Sequence, residues 1–558
     1  MRGTALRAAG MIGLLLSVAR CGFDSEVLLG DGDYSPEPRP GLNDGPTRAG
    51  GNIDQAESGG STSGPAGVGG GAGSGEGGAG GDFNDPGMGG GGGNPAASIP
   101  PDCAEKASQR VVAAMSIEDP DAFAAPAYVR DILKSENGDT PSANLLKPHE
   151  FFNYYAVPYA PAGSGSVGIT AGLWKMAPDS PDSGEYRLTV GVTAPLAPNR
   201  PRANIAIVVD TSISMTNTGI TRARAIVKAI GKSLKEGDVV SLVTWNPDVP
   251  PLLDGLVVGG PDDPAFATAA GGLYADGGSD IQAGLLRGYE LADKTFDKDG
   301  LNRLVFISDG RVTLGSSEQN VVRDHARDLL KKITLVGAAT GPAAGYDETF
   351  MATLAEAGLG SYVYVDSEAE ATRLFHDRFG EVMGEPIYDG VTLTLNVPAY
   401  FELVDFVEPA ESEQYSSELS GIAGRPLAPG DAMTFNQILK ACHSQVISDE
   451  HTVTAIVTWI DRATGAPGSA SVELKMVELF NNSVHPGIRK ANAISFFADA
   501  LRSGGGFGDP AALGDAWAQI NTINDLFKPE ADKPGDSELE EILALLKRHP
   551  KYPPPAQP

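Results

Sequence analysis

The chain has 558 residues, a formal net charge of −30, 71 glycines and 41 prolines. This length allows two or three domains, and so much glycine and proline requires that part of the chain be linker. The negative charge argues against a nucleic-acid partner and against a polybasic membrane patch, because both depend on clustered lysine and arginine. Solubility is the ordinary alternative reason for such a charge.

The N-terminus resembles an export signal. Two arginines precede an apolar stretch over 11–19, which is too short to span a bilayer but suits the apolar part of a secretory signal. Cys21 follows as in the lipidation motif of bacterial lipoproteins, although Arg20 stands where Gly or Ala is expected. Cleavage after Ala19 without lipidation is the alternative. We predict a signal peptide over 1–21, lipidation at Cys21, and export to the bacterial cell envelope on a membrane facing the periplasm or cell surface.

The segment 22–100 has no apolar periodicity and is rich in glycine. Such a composition cannot bury a core, and it predicts a disordered, flexible linker. Beyond Cys21 the chain has two cysteines, Cys103 and Cys442. If Cys21 carries lipid, these two form an even pair in an oxidising compartment, which favours a disulfide between them. Two unpaired thiols are the alternative.

The N-terminal flanking region, 101–199, is predicted to contain a helix and β-strands. A helical segment and an aromatic-rich segment come first, in SIEDPDAFAAPAYVRDIL and LLKPHEFFNYYAVPY. Two segments with an apolar residue at every second position follow, SVGITAGLWK and EYRLTVGVTAP. A period of two is typical of half-buried strands.

Between 200 and 385 the apolar residues form runs without alternation. The runs are NIAIVVD, DVVSLVTW, RLVFISD and ITLVGAAT, as expected of parallel strands covered on both faces. Helical periodicity separates them, and the segment SSEQNVVRDHARDLLKK begins with a capping-box pattern from Ser316 to Gln319. Alternating strands and helices predict a doubly wound, mostly parallel α/β domain over 200–385.

The period of two returns over 386–480 and predicts a β-rich domain. The strands are expected in VTLTLNV, HTVTAIVTWID and SASVELKMV. Three amphipathic helices are predicted over 481–558. Because strands stand on both sides of the α/β segment, we predict that it is inserted into a β-rich domain. Separate flanking domains are the alternative.

Three loops of the α/β segment carry side-chain oxygens. Asp210, Ser212 and Ser214 follow the first apolar run, Ser279 precedes a helix in DGGSDIQ, and Asp309 ends the strand of RLVFISDG. Loops at the carboxyl ends of parallel strands form ligand sites, so three such loops together predict a metal site. Taken singly, each loop has an ordinary alternative as a helix cap or a turn.

These residues resemble a known family. DTSIS matches the DxSxS motif of von Willebrand factor type A (VWA) domains, GGSDI matches the loop that usually supplies a threonine, and VFISDG matches the strand that ends in the last aspartate. The resemblance implies a metal-ion-dependent adhesion site. In it, a divalent cation would be surrounded by Asp210, Ser212, Ser214, Ser279 and Asp309.

Two positions depart from the family pattern. Ser279 stands where threonine is usual but keeps the hydroxyl, and Ile213 stands where bacterial members often have glycine. Ile213 leaves the ligands intact but makes the loop less free. The flanking segments AYVRDIL and PHEFFNYYAVPY, with the C-terminal strands and helices, are similar to those of bacterial cell-envelope VWA proteins. The VWA resemblance itself covers about a third of the chain.

The ligand types imply the function. Oxygen ligands alone predict a hard cation, Mg²⁺ first, with Mn²⁺ and Ca²⁺ as alternatives. The family arrangement implies that the cation binds a carboxylate offered by a protein or cell-surface partner. We expect no enzyme, because the histidines form no HExxH spacing and the sequence has no GxSxG or GxxxxGK[ST] motif. A structural envelope or assembly protein, whose cation only holds loops together, is the alternative, and a hydrolase is the less favoured one.

Overall fold

The computed structural model describes residues 101–553 except for 107, 117–120, 136–137, 164, 177–183, 198, 276, 278–279, 312–314, 329, 405–425 and 529–533. The predicted signal peptide with Cys21 and the predicted linker lie outside the described residues. Among the helices that are described, none combines the length and the apolar character needed to cross a membrane.

The described residues form both helices and strands. The α-helices are α1 (Pro101–Lys106), α2 (Ala125–Lys134), α3 (Pro148–Tyr154), α4 (Thr218–Ser233), α5 (Pro264–Gly271), α6 (Ile281–Lys294), α7 (Ser316–Ala326), α8 (Glu348–Ala357), α9 (Glu368–Thr372), α10 (Phe379–Val382), α11 (Met476–Asn481), α12 (Pro486–Gly506), α13 (Pro510–Asp525) and α14 (Ser537–Arg548). The strands are β1 (Arg110–Ser116), β2 (Asp121–Ala122), β3 (Gly168–Lys175), β4 (Glu185–Thr193), β5 (Ala203–Val209), β6 (Val239–Thr244), β7 (Leu253–Val257), β8 (Leu301–Ser308), β9 (Thr334–Ala339), β10 (Ser361–Tyr364), β11 (Tyr388–Pro398), β12 (Phe401–Val404), β13 (Ala432–Ala441), β14 (Thr452–Asp461) and β15 (Pro467–Lys475).

A seven-stranded sheet forms the centre of the α/β part, with the order β2-β10-β9-β8-β5-β6-β7. Every neighbouring pair is parallel except β6 with β7. The strands β5, β8 and β9 are buried along their whole length, because helices cover both faces of the sheet. This explains why their sequences are apolar without alternation, and it confirms the predicted doubly wound fold.

The remaining strands form two antiparallel four-stranded sheets, β1-β11-β14-β15 and β12-β13-β4-β3. The two sheets share a second apolar core, separate from that of the α/β part. The pairs β1 with β11 and β4 with β13 each join a strand that precedes residue 200 to one that follows residue 385. The α/β segment is therefore inserted into a β-rich domain, as predicted.

Two predictions about exposure were wrong. Strand β4 was expected to be half-buried, yet Arg187 and Thr189 on its second face are also buried. Helix α12 was expected to be amphipathic, yet it buries polar residues such as Lys490 and Asn492 as well as apolar ones. Strand β4 is covered because α12 packs on its outer face, where Arg187 pairs with Asp499 at 2.6 Å. Lys490 is buried because it pairs with Asp536 and Glu538 at the start of α14, each at 2.7 Å.

Helix α7 also differs from its prediction. It begins after Gly315, and no side chain caps it, so the capping box from Ser316 to Gln319 is not formed. The helix ends at Ala326 because the carboxylate of Asp328 accepts hydrogen bonds from the amides that follow it, which replaces the helical bonding pattern by a turn.

Cys103 and Cys442 form a disulfide, with their Cα atoms 6.0 Å apart. The bond joins α1 to the end of β13. It ties the N-terminal flank to a strand on the far side of the inserted α/β segment, a loop of 339 residues along the chain.

Candidate metal centre

The candidate site lies at the carboxyl edge of the seven-stranded sheet. Strand β5 has β8 on one side and β6 on the other, so the order of strands reverses beside it. A crevice at such a switch point is where open α/β sheets bind ligands. The loop after β5 begins with Asp210 and the loop after β8 begins with Asp309, so the two aspartates follow neighbouring strands.

Asp210 is fully buried and holds its loop together. One carboxylate oxygen, Oδ1, accepts the backbone N–H of Ser212 at 2.8 Å, and the other, Oδ2, accepts the hydroxyl of Ser308 at 2.9 Å. A short 3-10 turn, Ile213–Met215, then brings Ser214 back to Ser212, so that the two hydroxyl oxygens are 2.9 Å apart. Three of the predicted ligands are thus brought together in one loop.

This loop is not a helix cap. The next helix, α4, begins after Asn217, and no side chain caps it. The ordinary alternative for Asp210 and Ser212, an N-cap cluster, therefore does not hold.

The surroundings of Asp210 raise the pKa of its carboxyl. Burial raises the pKa of the Asp210 carboxyl, and the negative charge of Asp309 raises it as well. Hydrogen bonds from Ser212 and Ser308 oppose both effects but do not reverse them. A positive charge close to Asp210 would lower this pKa and stabilise the carboxylate form.

Asp309 has one satisfied oxygen and one unsatisfied oxygen. Its Oδ1 accepts the backbone N–H of Arg311 at 3.1 Å, which is the turn hydrogen bond expected of an aspartate before Gly310. Its Oδ2 is buried and has no hydrogen-bond partner among the described residues. The Nε atom of Arg311 lies 3.9 Å from Oδ2, at the limit of an ion pair. A buried carboxylate oxygen without a donor is energetically costly unless something binds it.

Ser279, the remaining predicted ligand, lies outside the described residues. Gly277 lies beside the first loop, since its N–H donates to the carbonyl oxygen of Thr211 at 3.0 Å. Asp280 caps α6 by accepting the N–H of Ala283 at 2.8 Å, which is the ordinary alternative expected of it.

The donor set fits a hard divalent cation. The described residues contain no group of three or more His, Cys, Asp or Glu side chains that could hold a metal. The site instead combines two carboxylates with serine hydroxyls, which are the oxygen ligands that Mg²⁺ and similar cations take. The unsatisfied Oδ2 of Asp309 is the atom that most needs such a partner. Asp210, Ser212, Ser214 and Asp309 would hold the cation.

Sequence reasoning missed two hydroxyl residues at this edge. Ser308 donates to Asp210, and Thr340, at the end of β9, donates through its hydroxyl to the carbonyl oxygen of Ser308 at 3.2 Å. Both hydroxyls stand at the carboxyl ends of apolar runs, as Ser212 does. That shared position could have identified both residues from the sequence.

Comparison with known proteins gives the class of the α/β part. Residues 205–311 match the profile of the family described as von Willebrand factor type A domain, and Asp210 and Asp309 both lie within the match. The chain therefore carries a VWA domain, with flanking regions on both sides. VWA domains commonly mediate protein–protein binding through a metal-ion-dependent adhesion site, and their adhesion-type members are generally not enzymes.

Individual relatives are similar to part of this chain. An uncharacterized protein of Escherichia coli strain K12, YfbK, is 26% identical over 204 residues, which cover 36% of this chain and 34% of that protein. Inter-alpha-trypsin inhibitor heavy chain H3 of Mus musculus is 26% identical over 209 residues, covering 36% and 23%. The match thus spans about a third or less of these relatives.

Among solved structures, a von Willebrand factor type A protein from Catenulispora acidiphila aligns with a TM-score of 0.38 and 15% identity. The alignment covers 69% of this chain and 98% of that one.

Proposed function

We propose that this protein binds a partner protein or cell-surface ligand through a divalent cation held at the carboxyl edge of its VWA domain. The observation that carries the proposal is the buried, unpartnered Oδ2 of Asp309 beside the buried Asp210 and the paired serine hydroxyls. Mg²⁺ is the proposed cation, with Mn²⁺ and Ca²⁺ as alternatives.

The chain's own ligands favour recognition of a negative group. Serine hydroxyls are neutral. If the cation contacts them directly and at least one of the two aspartates acts through water, as in the family arrangement, it keeps much of its positive charge and can accept an outside carboxylate. Arg311 adds a second positive charge at the rim, with 46% of its side chain exposed. The chain as a whole carries −30. An acidic partner is therefore attracted mainly at this rim.

The rim also offers apolar surface. Ile213, in the turn between the two serines, is 76% exposed, and an added Cβ at Gly277 would lie 3.6 Å from its Cγ1. A single exposed isoleucine is ordinary on a protein surface, but Ile213 stands between two predicted ligands, so its apolar atoms lie beside the site. We propose that the partner places its carboxylate on the cation and apolar atoms on Ile213.

We further propose that the protein is exported and tethered to a membrane of the bacterial cell envelope through Cys21. The support is the signal-like N-terminus, the glycine-rich linker over 22–100 and the disulfide between Cys103 and Cys442, since disulfides persist in oxidising compartments. Mass spectrometry of the membrane fraction tests this, because lipidation adds a diacylglyceryl mass to Cys21. An unmodified N-terminus at residue 20 would contradict lipidation and leave export.

The binding proposal is tested with peptides in matched pairs. Peptides with a central Asp are immobilised beside the same peptides with Asn, and the full chain is applied in Mg²⁺ or in EDTA. We expect a subset of Asp peptides to bind only in Mg²⁺, and to lose binding with Asn or with Asp210→Ala. Stabilisation of the protein by Mg²⁺ without any Asp-dependent binding would favour the structural alternative, in which the cation only holds the loops.

A further inference from the structure

Helix α2, which belongs to the N-terminal flank, reaches the edge of the sheet that carries the metal site. Its Asp131 carboxylate accepts three hydrogen bonds from the VWA domain. Oδ1 accepts from Arg222 on α4 at 3.1 Å, and Oδ2 accepts from the Tyr364 hydroxyl at 2.6 Å and from the backbone N–H of Ala343 at 3.1 Å. One carboxylate of the flank thus joins a helix, a strand end and a loop of the inserted domain.

The two side chains that Asp131 holds converge on one carbonyl group. Arg222 donates to the carbonyl oxygen of Gly341 at 2.6 Å. The Tyr364 hydroxyl oxygen, whose single proton goes to the shorter contact with Asp131, lies 2.8 Å from the same carbonyl oxygen. Together with the bond to Ala343, these contacts fix the backbone of 340–345, the segment that follows β9. The Asp131 carboxylate orients both donors because it accepts from each of them.

The segment 340–345 in turn packs against the metal site. A Cβ atom added to Gly341 would lie 2.8 Å from the carbonyl oxygen of Asp309 and 2.9 Å from its Cβ, so the two backbones are in close contact. The N–H of Thr340 donates to the carbonyl oxygen of Ser308 at 2.8 Å. At the far end, an added Cβ on Gly345 would lie 2.8 Å from Nε of Arg311. Any displacement of this segment therefore displaces Asp309 or Arg311.

We infer that Asp131 is a positioning residue for the cation site, through which the N-terminal flank sets the affinity of the VWA domain for its cation. Asp131 does not touch the cation; it fixes the segment against which Asp309 is placed. This inference rests on the proposed function, because it concerns the affinity of the same site. Its consequence is that movement of α2 changes cation affinity.

The substitution Asp131→Asn tests the inference because an amide nitrogen cannot accept a hydrogen bond. Asparagine keeps the size of the side chain, but its amide nitrogen replaces one of the two acceptor oxygens. That nitrogen would face only hydrogen-bond donors. Asp139→Asn is the matched control, since it removes the same charge from an exposed position of the same flank. Arg222→Gln removes the guanidinium group that links Asp131 to the carbonyl oxygen of Gly341.

Mg²⁺ affinity is measured by calorimetry on the full chain for the wild type, Asp131→Asn, Asp139→Asn, Arg222→Gln, the double variant of Asp131 and Arg222, and Asp210→Ala. We expect Asp131→Asn to weaken affinity by roughly threefold to tenfold, and the Asp139 variant to match the wild type. Both residues act through Gly341. The loss of Mg²⁺ affinity in the double variant should therefore not exceed the product of the two single losses, and it should lie closer to the larger of them.

Hydrogen exchange separates positioning from general loss of stability. In Asp131→Asn we expect faster exchange at Gly341 and Ala343 and unchanged exchange over 452–461 in the β-rich domain. If the wild type and Asp131→Asn bind Mg²⁺ equally and Asp210→Ala does not bind it, the inference is overturned while the assignment of the cation site is kept. A wild type that binds no Mg²⁺ would overturn both.

Discussion

Two clusters of buried carboxylates in this chain differ in how their negative charge is compensated. In one, Arg130 on α2 pairs with Asp366 and Glu370 at 2.7 Å and with Glu541 on α14 at 2.8 Å. In the other, the described residues give Asp210 hydrogen bonds from neutral groups only. Its neighbour Asp309 has the Nε atom of Arg311 at 3.9 Å, which is too far for a hydrogen bond.

The difference shows what each cluster is for. The first cluster contains its own counter-charge and joins the two flanks to the VWA domain, so its role is structural. Burial raises the pKa of a carboxyl in each cluster, of Glu370 in the first and of Asp210 in the second. Of the two clusters, the first has a cationic side chain within hydrogen-bonding distance of its carboxylates, whereas the cationic atom of the second lies 3.9 Å from Asp309. We propose that an ion from solution supplies the counter-charge of the second cluster, and four predictions test the contrast.

The largest effect is expected at Arg130. Arg130→Met should lower the free energy of unfolding by about 3 to 5 kcal/mol, because it leaves Asp366 and Glu370 buried without the cation that hydrogen-bonds to both. Urea denaturation measures the effect, and Arg130→Lys, which keeps the charge, should lose less. A loss below about 1 kcal/mol would mean that the first cluster is not held by its arginine.

The matching change in the second cluster is Asp309→Asn. Asparagine can still accept the N–H of Arg311, and it removes an unpaired buried charge. In EDTA the variant should therefore be within about 1 kcal/mol of the wild type, or more stable. Its Mg²⁺ affinity should fall by roughly a hundredfold or more, since loss of even an indirect contact costs ten- to a hundredfold. A large loss of stability in EDTA with unchanged Mg²⁺ affinity would contradict the contrast.

A smaller effect is expected for the hydroxyl of Ser214. Ser214→Ala removes one neutral oxygen of the site and should weaken Mg²⁺ binding by roughly tenfold. Thr216→Ala is the matched control, because its hydroxyl donates to the carbonyl oxygen of Ile213 and lies outside the oxygen cluster. Equal losses in the two variants would point to a general effect on the loop.

The smallest effect concerns acid. Burial alone would raise the pKa of Asp366, but the hydrogen bond and charge of Arg130 lower it below its usual value of 3.8. A lowered carboxyl pKa contributes stability above the unfolded value, and this is lost as the pH falls through the folded value. The stability difference between the wild type and Asp366→Asn should therefore shrink below about pH 4. A difference that stays constant from pH 5 to pH 3 would show that folding does not shift the pKa of Asp366.

The sequence predicted the parts of this structure that depend on local pattern. Apolar runs identified β5, β6, β8 and β9, because a strand covered on both faces needs no polar side. Asp210, Ser212 and Ser214 could be grouped because they lie within five residues, and the structure brings them together. Asp309 followed from the rule that neighbouring parallel strands end at one edge.

The remainder depends on contacts that periodicity does not encode. The sequence gives no sign that Asp131 contacts Arg222 and Ala343, which are 91 and 212 residues away along the chain. Nor can alternation within β4 reveal that α12 covers its second face with Asp499. A pattern identifies an apolar face, but it does not identify what packs on the polar one.

Mg²⁺ titration of the full chain by calorimetry, wild type beside Asp210→Ala, tests the central claim most directly. We expect one Mg²⁺ per chain in the wild type and none in the variant, with both proteins folded by circular dichroism. Equal binding in the two proteins, or no binding in a folded wild type, would contradict the assignment of the Asp210 and Asp309 edge as a cation site.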